Sequence, residues 1–166
     1  LSWALRNETA ALPSVVCRPR NTFEVSAVMR ICNEVKIPVT PAGGRSGVTG
    51  ASIPLYGGVL LDLTSLQGIN AVDAISGIVE VLPGTFGPDL ESELNAQHQL
   101  TVGHYPQSFD ISTVGGWIAC RGAGQFSTRY GKIEDMVVGL EVVLADGTVV
   151  LTGGAPAAAA GPDLTE

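Results

Sequence analysis

Glycine makes up 21 of the 166 residues, and much of it is gathered into two loops. Its usual share is about 7%. The first loop, "TPAGGRSGVTGAS" at 40–52, has four glycines, one cation (Arg45) and no aliphatic side chain larger than Val48. The second is "STVGGWIACRGAG" at 112–124. No G-X-Y period is present, so this is not a triple helix. Glycine serves where a backbone must approach something closely. The pattern suits a chain that meets a large flat or phosphorylated ligand.

The two commonest phosphate motifs fail on spacing. Glycines at 43, 44, 47 and 50 contain no n, n+2, n+5 triplet, and no Gly-Lys-Ser/Thr ending exists. Consecutive glycines can still form a nest of amide donors for an anion such as a pyrophosphate. Ser46 and Thr49 add hydroxyls, and Arg45 adds charge. Taken alone, this loop reads equally well as a slack connection. The second loop shifts that balance. Ser112 and Thr113 suit a helix N-terminus, and Gly115 and Gly116 then fall in its first turn, where paired glycines weaken a helix. Either a ligand or a neighbouring strand lies against them. Two such loops suggest one elongated ligand, with phosphates at one loop and a ring system at the other.

Around the loops, the hydrophobic periodicity predicts α+β architecture. A short helix is expected in residues 1–12. "SVVCRP" at 14–19 reads as a buried strand. "NTFEVSAVMRICNEVK" at 21–36 reads as a helix, capped by Asn21 or Thr22, with Phe23, Val25, Val28, Met29, Ile31, Cys32 and Val35 on its apolar positions. "IPVTP" at 37–41 is a strand, expected to pair in parallel with the first across the helical crossover. "GGVLLDL" at 57–63 is a third strand. Residues 68–84 read as two strands meeting near Ser76-Gly77. "FGPDLESELNAQHQ" is a helix with Leu90, Leu94 and Ala96 inward, and 136–154 is a hairpin turning at Asp146-Gly147.

Composition excludes several classes. A net charge of −7 without a Lys/Arg-rich run argues against nucleic-acid binding. Cys17, Cys32 and Cys120 are widely spaced and have no C-x-x-C, so neither a disulfide framework nor a zinc site is expected. A reducing, cytoplasmic setting follows. No run of 18 apolar residues or signal-peptide pattern is present. The chain opens with Leu1 rather than Met, so the native N-terminus is expected to lie upstream.

The order "VVCRPRNTFEV…IPVTPAGGRSGVTG…GGVLLDL…VEVLPGTFGPDL…PQSFDISTVGG…YGKIEDMVVGLEVVLADG" resembles the FAD-binding domain of the vanillyl-alcohol oxidase / p-cresol methylhydroxylase family. "GHYPQSFDISTVGGWIACRGAG" with "YGKIEDMV" is most similar to alkylglycerone-phosphate synthases and bacterial FAD-linked oxidases. The first loop is also similar to that of D-lactate dehydrogenases and the glycolate oxidase flavin subunit. The resemblance implies a p-cresol methylhydroxylase-type fold of two packed α/β subdomains, about 13–65 and 66–152. The first holds a small parallel sheet with helices. The second holds a mostly antiparallel sheet with helices. An extension at 1–12 and a linker-like tail at 153–166 flank them. A substrate-binding cap is expected beyond the chain, because "GPDL" is followed in relatives by a further FAD-contacting segment.

The resemblance places FAD on three stretches. Pro41, Ala42, Gly43, Gly44, Arg45, Ser46 and Gly47 match the pyrophosphate loop. Gln107, Ser108, Phe109, Asp110, Ile111, Ser112 and Thr113, with Gly115 and Gly116, match the segment beside the flavin ring. Cys120, Arg121, Gly122 and Ala123 match a third contact, and the hairpin at 136–152 matches scaffold. Some relatives attach FAD through a histidine where Arg45 stands, so non-covalent FAD is implied. The resemblance leaves no catalytic residue to carry over. The implied protein is an enzyme acting on a small-molecule or lipid-like substrate through the cap, as a homodimer, and inactive as this piece alone. The alternatives are a 2-hydroxy-acid dehydrogenase or oxidase, a non-catalytic nucleotide-binding module, and a piece that binds nothing by itself. Of single residues, His98 is expected at the surface. His104 is weighed as a base against a packing role, and Arg121 as a partner of either a phosphate or an acidic neighbour. Trp117 or Ile118 is assigned to the core, and Glu134 and Asp135 to capping or solvent.

Overall fold

The computed structural model describes residues 11–153. The helix expected in 1–12 and the tail expected at 153–166 therefore fall almost wholly outside the described residues.

Three strands, β1 (Val15–Cys17), β2 (Val39–Ala42) and β3 (Val59–Asp62), form a parallel sheet in the order β1-β3-β2. The expected direct pairing of the first two strands is therefore corrected. All three are parallel, but β3 inserts between them. All four residues of β3 are buried, as befits a central strand covered on both faces. Pro41 lacks an amide donor, which suits the edge strand β2.

Helix α1 (Thr22–Glu34) crosses from β1 to β2, and its Asn21 cap accepts a hydrogen bond from the Glu24 amide. Its inward face is narrower than the apolar pattern implied. Val25, Val28 and Met29 pack with Leu61 and Leu66, and Cys32 is buried. Phe23 is 85% exposed, and Ile31 and Val35 are also exposed. At 3.6 residues per turn Phe23 and Ile31 fall off the Val25–Cys32 stripe, and Val35 is the C-cap past the last helical residue, so the helix offers the sheet one narrow stripe.

A second core lies around Leu90, Leu94, Val114, Trp117 and Ile133. Over it folds the hairpin β4 (Ile69–Asp73) and β5 (Ile78–Val81), whose Ile69, Val72, Val79 and Val81 pack inward. Helix α2 (Gly87–Glu93) runs on through a π-turn at Leu94–His98 and stops at Gln99, in the left-handed conformation. Leu90 and Leu94 face the core as expected, whereas Ala96 is exposed, because two residues past Leu94 it falls on the opposite side of the helix. Helices α3 (Val114–Ala119), α4 (Ser127–Tyr130) and α5 (Ile133–Met136) complete this half.

The last hairpin, β6 (Gly139–Val143) and β7 (Val149–Gly153), is a separate two-stranded ribbon. It folds back on the first half. Ser26 Oγ donates to the Gly147 carbonyl at 2.6 Å, Thr22 Oγ1 donates to Glu141, and Val143 packs against the α1 core.

Candidate functional site

The two glycine loops meet. Gly43 and Gly44 follow the carboxyl end of β2, and residues 111–113 lead into α3. A Cβ on Gly43 would lie 2.3 Å from Thr113 Oγ1, and one on Gly44 would lie 2.2 Å from the Ile111 carbonyl oxygen. Neither space exists, so these two glycines are required by chain-on-chain packing. Gly115 has the same cause, with a Cβ position 2.7 Å from Pro83. Gly47 differs, since nothing lies within 4 Å of its Cβ position. The loop is thus tight at its base and open at its tip.

The second loop is braced by residues 83–87. Gly87 N donates to Ser112 O, Val114 N to Thr85 O, and Gly115 N to Pro83 O. Trp117 Nε1 donates to Ser112 Oγ at 2.6 Å. Thr113, which starts α3, is 1% exposed, and its Oγ1 has no hydrogen-bond partner. Buried hydroxyls are almost always paired, so this one points to a missing partner.

The expected site residues fall as follows. Pro41 and Ala42 end β2, with Ala42 buried beside Asp62 in register. Arg45 and Gly47 are exposed and Ser46 is half-buried. Arg45 holds a left-handed backbone at φ 57°, a costly conformation for a non-glycine residue. Gln107, Asp110 and Ile111 are exposed, Ser108 and Phe109 half-buried, and Ser112 and Thr113 buried. Phe109 stacks on Trp117 with ring centroids 6.2 Å apart. Gly116 has only Thr113 Oγ1 near its Cβ position, at 3.4 Å. Cys120, Arg121 and Ala123 are exposed beyond the end of α3, and Gly122 is half-buried.

Arg121 pairs with the acidic neighbour rather than standing apart. Its Nε donates to Glu134, which also accepts from Lys132 Nζ. These hydrogen bonds hold the Glu134 carboxyl at about 2. Asp135 accepts from the Lys132 amide at the start of α5. Trp117 is buried, and His98 is exposed. His104 is 1% exposed, and neither ring nitrogen has a partner. It lies against Trp117 at 5.0 Å, and burial lowers its pKa.

One pair was not singled out from the sequence. Asp62, at the end of β3, is 1% exposed and accepts from Thr64 N, Thr64 Oγ1 and Arg18 Nε. Burial pushes its pKa up, but the Thr64 and Arg18 hydrogen bonds and the nearby Arg45 charge outweigh that and hold it low. The available signal was a carboxylate closing the otherwise apolar run "VLLD".

The first loop is thus open at its tip, and its base packs on a second loop that holds one buried, unpartnered hydroxyl. A family model described as "FAD binding domain" matches residues 13–153. The chain belongs to this FAD-binding family. The uncharacterised FAD-linked oxidoreductase YgcU of Escherichia coli (strain K12) is 40% identical, covering 94% of this chain and 32% of that protein. Glycolate oxidase subunit GlcD of Bacillus subtilis is 36% identical, covering 93% and 33%. A solved alkyldihydroxyacetonephosphate synthase superposes with a TM-score of 0.76 at 30% identity, covering 83% of this chain and 25% of that one. The chain thus spans about a third or less of the relatives it matches. FAD is the cofactor of this domain, and the parallel sheet with antiparallel ribbons is the p-cresol methylhydroxylase-type fold. No helix among the described residues is long and apolar enough to cross a membrane.

Proposed function

We propose that this chain is the cofactor-holding part of a flavoenzyme and binds FAD without a covalent bond. The observation that carries this reading is Thr113 Oγ1, a buried hydroxyl without a partner where the two glycine loops touch. In this reading Pro41–Gly47 take the diphosphate. The open amides near Gly47 and the Ser46 hydroxyl donate, and Arg45 supplies charge. Gln107–Thr113, Gly115 and Gly116 border the flavin ring and its linker, and Cys120–Ala123 form a third contact. Arg45 cannot form the histidyl link seen in some relatives.

Bound FAD supplies the redox chemistry. The chain's own part is to position and to exclude water. Chain-packed glycines at 43, 44 and 115 hold the two walls rigidly, and the Phe109–Trp117 stack backs the second wall. The whole protein is read as a synthase of the alkylglycerone-phosphate type or an FAD-linked oxidoreductase. The alternative is a 2-hydroxy-acid dehydrogenase or oxidase, favoured by the likeness to GlcD. Substrate entry through a cap domain, a homodimer and a cytoplasmic setting complete the proposal. Free thiols at Cys17, Cys32 and Cys120 support the last.

The test is the visible spectrum of the purified chain with and without added FAD. Flavin bands that survive gel filtration, with flavin released by acid, are the expected result. Colourless protein that cannot be reconstituted overturns the reading, and flavin retained in the acid precipitate overturns the non-covalent part. ATP competing as well as FAD would favour a plain nucleotide module.

A further inference from the structure

The carboxyl end of the parallel sheet carries a cationic pair that the cofactor loop alone does not account for. Asp62 ends the central strand, with Ala42 of β2 its register partner on one side. On the other side Cys17 pairs with Leu61, so Arg18 stands beside Asp62. Neighbouring strands lie about 4.8 Å apart. The ends of β1 and β2 are thus about 10 Å apart, with one buried carboxylate between them. In open parallel sheets ligands gather at this end of the strands.

The bonding of Asp62 decides how Arg18 is used. Thr64 N and Thr64 Oγ1 both donate to Oδ1, at 3.1 and 2.7 Å. Oδ2 receives Arg18 Nε alone, at 3.1 Å. Arginine–carboxylate pairs are frequently bidentate, with one nitrogen on each oxygen. Here one oxygen is already taken, and Arg18 is held by its inner nitrogen. Its side chain is 66% exposed while that of Asp62 is 2% exposed. The guanidinium thus keeps solvent-facing N–H donors beyond the one bonded to Asp62. Arg45, at the tip of the first loop, adds a second guanidinium close enough to bear on Asp62. One buried negative charge facing two arginines leaves a local surplus of positive charge, on a chain whose net charge is −7.

We propose that Arg18, anchored through Nε on the buried Asp62 carboxylate, is a second phosphate-binding arginine that grips a diphosphate from the side opposite Arg45. Asp62 is its positioning residue. The inference rests on the FAD reading for the identity of the diphosphate, but the clamp itself is tested without flavin.

The test titrates the chain with inorganic pyrophosphate by calorimetry, and with FAD and riboflavin by flavin fluorescence, at two or more salt concentrations. Arg18→Gln is expected to weaken pyrophosphate and FAD about tenfold, to flatten the salt dependence of both, and to leave riboflavin unchanged because it has no phosphate. Arg18→Gln strands a buried carboxylate, so Arg18→Gln/Asp62→Asn is made beside it and is expected to show the same loss. Asp62→Asn alone, with the fork unanchored, is expected to lose less. Pyrophosphate and FAD affinities unchanged in the double variant overturn the clamp and leave the FAD reading standing. Equal loss of riboflavin would mark a purely structural role and also overturn it. A chain that takes pyrophosphate in an Arg18-dependent way but never takes FAD supports the clamp and overturns the flavin reading. No pyrophosphate binding by the wild-type chain overturns the clamp.

Discussion

The glycines of the two loops separate by what stands next to them. Gly44→Ala would place a Cβ 2.2 Å from a backbone carbonyl that cannot swing aside. It is expected to cost about 1–3 kcal/mol, read as a lower melting temperature. Gly47→Ala meets nothing and should hold stability within about 0.5 kcal/mol. Its new methyl would face the diphosphate, so FAD affinity, not melting, should fall. From the sequence both glycines look alike, because whether a ligand or a neighbouring strand fills the space is a tertiary fact. His104 makes a second prediction. Burial lowers its pKa below 6.5, so the unfolded chain takes up the proton more readily than the folded one. Stability is therefore full above about pH 6.5 and declines as pH falls toward the lower folded value. Asp62 and Glu134 have lowered values and contribute their losses only in the acid range below that. Melting temperatures between pH 7 and 5.5 should thus slope downward in the wild type and flatten in His104→Leu. At pH 7 that variant should be neutral or stabilised, since both unpaired nitrogens are gone.

Among the elements, local signals were the readable ones. Asn21 was legible as a cap because the bond it accepts lies three residues away. The turn at Asp146-Gly147 was legible for the same reason, with Thr148 N donating to the Asp146 carboxylate. Asn21→Ala is expected to cost about 1 kcal/mol. The inward face of α1 was only half legible. Its apolar residues outnumber those one face can hold, and the choice was made by the sheet beneath. Leu61→Ala, on the central strand, should cost about 2–5 kcal/mol by chemical denaturation. Phe23→Ser, on the exposed side, should stay within about 0.5 kcal/mol although the residue is larger. The place of β3 between β1 and β2 was not legible, because strand order depends on long-range pairing rather than on any window of sequence.

At the scale of the molecule, two cores are joined at the seam where Gly43 and Gly44 press on residues 111–113, and again where the last hairpin lies on α1. A ligand seated on that seam binds only when both halves are folded. FAD at a hundredfold excess over its Kd is expected to stabilise the chain by about 2.7 kcal/mol. Calorimetry should show a single transition moving upward, and a shift of one of two separate transitions would contradict the shared seam. Neighbouring positions were enough to read the longer helices, the strands, the two glycine loops and the family, because periodicity, turn residues and motif order are local. The short helices Ser127–Tyr130 and Ile133–Met136 were not read, and Met136 ends the second of them rather than opening the last hairpin. Which glycines serve packing and which leave room for a ligand emerged from the folded chain alone. It likewise left Thr113 without a partner, buried His104, and set Arg18 beside Asp62 at the end of the sheet. Each of these depends on residues tens of positions apart, brought together by strand order and by the burial of two separate cores.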